Sequence, residues 1–258
     1  HMFNDYINLN RELVELCNTL YSRLKSRIRG DIVVRISSVL LLKTCRTLKG
    51  ILLLYDHHLN EQAQSLVRIL IELSINFSYF FMMLGKNPQQ ACQQIIDSSM
   101  IEKVKQQRAS NFKGLELIPD GPSREDLERT ESEIISRYSP GEIKRLRKFG
   151  FTMLPLEQTA KITGDVDVYN IVYRNFSRNV HSADFMEHHL LQGDFWEKEK
   201  IKDYFDTRDS VSLDITFVFS YRIIDIINKL HKCEIDSNLE DSHIKLMSIR
   251  EKESDSTL

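Results

Sequence analysis

Glycine and proline are scarce, with 9 and 5 among 258 residues. Sheet proteins of this size use more turn punctuation, because hairpins and strand ends call on residues that tolerate tight backbone geometry. Closely spaced cysteines are also missing. The four present, Cys17, Cys45, Cys92 and Cys233, form no Cys-x-x-Cys pair and sit in apolar stretches of helical pattern. That spacing argues against a structural zinc site. With no secretory signal at the start, it predicts four reduced, mostly buried thiols in a cytoplasmic protein. Neither charge sign dominates: 35 Lys and Arg stand against 37 Asp and Glu, a net of −2. Bulk charge therefore announces no nucleic-acid binder, while a local basic surface remains compatible with it.

Long uncharged apolar runs are lacking too. Residues 32–55 are interrupted by Arg35, Lys43, Arg46 and Lys49, and residues 66–84 by Arg68, Glu72 and Asn76. A spanning helix needs roughly 20 residues with few or no charges, so both read as core helices and no membrane contact is expected. There is no P-loop, Gly-x-Gly-x-x-Gly, Gly-x-Ser-x-Gly, His-Glu-x-x-His or EF-hand pattern. Tyr55-Asp56-His57-His58 and Glu187-His188-His189 invite a metal reading. Neighbouring histidines on a helix point about 100° apart, however, and do not share one ion easily. No metal and no cofactor are expected.

What is there is helical periodicity. Tyr6, Leu9, Leu13, Leu16, Leu20 and Leu24 recur at spacings of three and four, which predicts a helix over 3–29. Gly30 ends it and Asp31 caps a second helix over 31–59. Asn60 is read as the cap of a third, 60–85, and Asn87-Pro88 starts a fourth to about Phe112. Gly114, Pro119, Gly121 and Pro122 mark the clearest loop. Ser123 and Ser139, each followed three residues later by an acid, cap two charged helices. Asp165 or Asp167 is read as the cap of a helix to about His181, and Asp209 or Ser210 as the start of an apolar helix to about Leu230. The fold class is all-α: one domain over 3–251, a bundle of long antiparallel helices with a charged helical insertion at 113–160. His1-Met2 reads as a cloning remnant, and 252–258 as a disordered tail.

The helix Tyr169-Asn-Ile-Val-Tyr-Arg-Asn-Phe-Ser-Arg-Asn-Val-His-Ser182 concentrates chemistry. At about 100° and 1.5 Å per residue, His181 returns to within roughly 20° of Arg174, about 10 Å along the axis. Ser177 lies on the stripe between them and Arg178 borders it. Ile171, Val172, Phe176 and Val180 supply apolar surface to bury. An arginine offers a planar, permanently charged fork for phosphate oxygens, and a histidine titrates near neutrality as general acid or base. With RNA, the ribose 2′-hydroxyl can itself be the nucleophile, so no metal is required. One helix supplies one Arg and one His, and a two-fold partner supplies the second pair. The competing reading is that Arg174 and Arg178 are solvated and His181 packs or caps.

On the third helix, Arg68, Glu72 and Asn76 fall at i, i+4 and i+8 in otherwise apolar surroundings. An internal Arg68–Glu72 ion pair is expected, or alternatively a stripe beside Arg174 and His181 with Tyr169 and Tyr173 lining the same pocket. Lys144, Arg145, Arg147 and Lys148 form a basic cluster, either a solvated helix face or a surface that steers RNA, and Lys103, Lys105 and Arg108 repeat the question.

Arg174-Asn175 followed by His181 resembles the signature of the HEPN superfamily, an Arg with a polar companion and a His four to six residues further on. Gln64–Leu73, Tyr173–Ser177 and Val180-His181-Ser182 are similar to a bacterial branch of HEPN-like proteins, over about residues 30–85 and 160–230. The resemblance implies a metal-independent endoribonuclease, dimeric through its motif helices, in a toxin or anti-phage defence setting with an antitoxin or defence-system partner. It places Arg174 and His181 at the chemistry, with Asn175 as their polar companion; the helix-face reading adds Ser177 to the catalytic candidates and Arg178, Arg68, Glu72 and Tyr173 as candidates to bind substrate. Many relatives only bind or scaffold. The alternative is therefore a non-catalytic helical protein that holds a partner protein or a nucleotide.

Overall fold

A computed structural model describes residues 2–109, 123–174, 176 and 198–256. Every regular element among these residues is helical. In chain order they are α1 (Met2–Leu24), α2 (Ile32–Asp56), α3 (Asn60–Lys86), α4 (Pro88–Ala109), α5 (Arg124–Ile135), α6 (Pro140–Phe149), α7 (Leu156–Thr163), α8 (Val166–Val168), α9 (Lys198–His231) and α10 (Asp236–Ser256). The chain forms two compact units, one of residues 1–78 with 164–258 and one of residues 79–163, and it passes from one to the other inside α3.

In the first unit the periodic residues of α1 do what their spacing demands. Tyr6, Leu9, Leu13, Leu20 and Leu24 are buried, and α1 packs on α2, α9 and α10. Polar bolts join these helices. The Asn10 amide donates to the Leu213 carbonyl at 3.1 Å, and the Tyr6 hydroxyl donates to Glu253 at 2.9 Å. That last contact lies in the segment expected to be a loose tail, which instead continues α10 to Ser256. Gly50 lets α2 and α3 approach: a Cβ there would meet Leu66 Cδ1 at 2.8 Å.

Asp31 caps α2 as its sequence position predicts, accepting from the Val33 and Val34 amides at 2.8 and 3.2 Å. Two other expected caps do something else. Asn60 donates its side-chain amide to Asp209 at 2.6 Å, and Asp209 lies buried inside α9, which starts at Lys198. A buried carboxylate needs donors, and the two supposed caps supply one another. Likewise Asp165 caps nothing. It is buried and accepts from Arg222 at 2.5 Å.

The second unit contains the charged helices anticipated at 113–160, together with α4 and the end of α3. Ser123 and Ser139 form capping boxes with Asp126 and Glu142. Its core joins Ile101, Ile134, Ile143 and Leu146, with Met100, Tyr138 and Met153 packed on it. Buried Asp97 accepts from Gln93, Arg137 and Tyr138 at 2.8, 2.7 and 2.9 Å, tying α4 to the α5–α6 turn.

Candidate active site

The site grows from a departure in helix geometry. Gly164, at φ +81°, turns the chain toward α8, and after that single turn the backbone widens to a π-turn over Tyr169–Tyr173. The Arg174 amide bonds back to the Tyr169 carbonyl, five residues earlier. Such wide turns concentrate at functional sites. Two side-chain contacts accompany it. The Tyr169 and Tyr173 rings stack with centroids 5.0 Å apart and planes 18° apart. The exposed Arg174 carries its guanidinium over the Tyr169 ring at 5.5 Å, within cation–π range.

Across from this turn stands α3. Arg68 Nη2 donates to the Tyr173 hydroxyl at 3.1 Å, and that hydroxyl donates to Glu72 Oε2 at a long 3.5 Å. The Arg68 guanidinium also faces the Tyr173 ring, 5.0 Å from its centroid. The expected direct Arg68–Glu72 ion pair is therefore corrected. The phenol stands between the two charges, because it can accept from one and donate to the other. Burial pushes the Tyr173 pKa up, the Arg68 hydrogen bond opposes this, and the Glu72 charge reinforces it. Tyr173 thus stays a neutral phenol with its proton available to Glu72.

The family pattern for DUF5677, a family of unknown function, matches residues 34–201. The chain belongs to the DUF5677 family. No curated protein sequence and no solved structure matches it. The DUF5677 match contains Arg68, Glu72, Tyr169, Tyr173 and Arg174, while α1 and α10 lie outside it.

Within this DUF5677 chain, sequence reasoning named four residues that the structure brings together in one cluster: Arg68, Glu72, Tyr173 and, through Tyr169, Arg174. Asn175, Ser177, Arg178 and His181 lie outside the described residues. Phe176 is buried as anticipated, but Ile171, also expected to bury, is 64% exposed at the centre of the wide turn. Tyr169 was a candidate lining residue, and its part in holding Arg174 comes from the π-turn, which no motif announces. Among the described residues, no group of three or more His, Cys, Asp or Glu side chains is placed to hold a metal ion.

Proposed function

We propose that the chain is a metal-independent endoribonuclease of the HEPN type, acting as a homodimer on RNA in a toxin or anti-phage defence setting. Arg174 is the phosphate clamp and His181 the acid–base group. The observation that supports this most directly is the presentation of Arg174: a permanent cation, exposed, steadied against Tyr169 beside the Arg68–Tyr173–Glu72 triad. A guanidinium presents a planar fork of N–H donors whose geometry matches phosphate oxygens. Charge developing on the phosphorus oxygens is then met by a cation already in position. The histidine takes the 2′-hydroxyl proton or returns one to the leaving 5′-oxygen. Asn175 and Ser177 assist as hydrogen-bond donors, and Arg178 and Arg68 draw in the flanking backbone.

The test is incubation of total RNA with the purified protein in excess EDTA, beside Arg174→Ala and His181→Ala. Wild type is expected to cleave, and each variant to lose at least about 100-fold, the usual contribution of a general acid–base group or an oxyanion donor. Light scattering should give twice the 30.3 kDa chain mass. Equal cleavage by wild type and both variants would sink the reading.

A further inference from the structure

The α5–α6 region of the second unit holds a polarity that the proposed reaction does not use. Arg137 pairs with Asp97, and Arg147 with Glu131, at 2.7 and 2.9 Å. Both pairs are oriented the same way. The carboxylate side chains are 1% and 7% exposed, and the guanidinium side chains 44% and 46%. Each carboxylate faces the interior and each cation faces solvent. Around them, Lys144, Arg145 and Lys148 are exposed and make no ion pair among the described residues. Lys148 instead lies over the Phe149 ring at 5.0 Å. Glu142, the half-exposed acid on the same helix, is engaged by the Ser139 cap, with Arg145 adding to the fall in its pKa.

The face is rigidly mounted. Ile143 and Leu146 bury the opposite side of α6 against Ile101 and Ile134, so the cations are carried outward on a packed helix. Cations near a helix C-terminus are ordinarily explained by the dipole. That account covers Arg147 and Lys148 in the last turn, but leaves Arg137, Lys144 and Arg145 and the shared orientation of the two buried acids unaccounted for. In a chain of net charge −2, five cations face outward between residues 137 and 148, and three of them, Lys144, Arg145 and Lys148, make no ion pair among the described residues.

We propose that the exposed face of α6, through Lys144, Arg145 and Lys148 with Arg137 and Arg147 beside them, binds the phosphodiester backbone of single-stranded RNA independently of sequence. The inference rests on the endoribonuclease reading for its choice of polyanion. It adds a second RNA contact, separate from the reacting residues, that holds substrate by charge and not by base recognition.

The experiment uses full-length protein carrying His181→Ala, so that RNA is not consumed, and a fluorescently labelled single-stranded RNA of mixed sequence. Anisotropy titrations are run over a series of salt concentrations. The triple variant Lys144→Ala/Arg145→Ala/Lys148→Ala alters only exposed side chains, and an unchanged Tm establishes that it folds. Losing three phosphate contacts should make the slope of log affinity against log salt shallower by about 2, with binding at least about tenfold weaker at low salt. Unchanged affinity and slope in the folded variant would overturn the proposal. So would binding to vesicles containing phosphatidylserine with none to RNA. The two readings fail separately. RNA bound through this face but never cleaved by the wild type removes the nuclease and keeps the face. Cleavage with the same KM in wild type and triple variant removes the face and keeps the nuclease.

Discussion

At the scale of single residues, the decisive feature is a hydroxyl with two charged neighbours. Tyr173 satisfies Arg68 on one side and reaches Glu72 on the other, while Arg68 Nε, buried, finds no other partner. Replacing Tyr173 with Phe keeps the ring stack on Tyr169 and removes only the bridge. Arg68 then loses its hydrogen-bond acceptor in a half-buried position. Urea denaturation should show a loss of about 1.5 kcal/mol, the lower end for hydrogen bonds to charged groups, because the site is partly solvated. Stability equal to wild type would mean that water replaces the phenol without loss. The sequence placed Arg68 and Glu72 on one helix face from their spacing alone. It did not reveal the phenol between them, because that contact joins positions more than a hundred residues apart.

At the scale of elements, the caps divide into those whose role is local and those whose role is not. Asp31, Ser123 and Ser139 satisfy the first amides of the helices they precede, and local chemistry sufficed to find them. Asp31→Ala should cost about 1 kcal/mol in a thermal or urea melt, whereas a surface acid outside a cap, such as Glu251, should change little on the same substitution. Asn60, Asp165 and Asp209 look equally cap-like in sequence, yet each is spent on a tertiary partner. A cap needs only the next three residues, which a sequence displays. A bond from Asn60 to Asp209 depends on how two helices pack, which it does not. The same limit applies to the wide turn at Tyr169–Tyr173. Tyrosines at i and i+4 fit an α-helix as well, so helical periodicity found the element but not its irregularity.

For the whole molecule, the helical fold was legible because apolar residues at three- and four-residue spacing leave little choice of class. The division into two units was less so, since the boundary lies within one continuous helix rather than in a loop. That helix is long and apolar enough to cross a membrane by length and composition, with 44% of its most apolar window buried within the protein, and its Arg68 and Glu72 are engaged by Tyr173. Global stability should also respond to mild acid through His231. Its imidazole is buried, bonded to Ser37 at 2.9 Å, and its pKa is lowered by burial first and then by Arg27, with Asp31 opposing. The unfolded chain takes up this proton near pH 6.5, while the folded chain resists it. The stabilisation is thus complete above pH 6.5 and is lost as pH falls from there toward the lower folded value. Denaturation midpoints at pH 7.5 and 5.5 should differ more for wild type than for His231→Gln. An equal difference would assign the acid response to other groups.

The π-turn holds one residue more than an α-helix needs to close the same arc. Each residue advances an α-helix by about 100°, so Arg174 and Phe176 are set round by about that angle from where a regular helix begun at Val166 would aim them. Ile171, at the centre of the turn, is an apolar side chain left 64% exposed. The Tyr169–Tyr173 stack and the guanidinium over Tyr169 are both built across this turn, and a homologue could keep every side chain here yet lose the arrangement by shedding the one surplus residue.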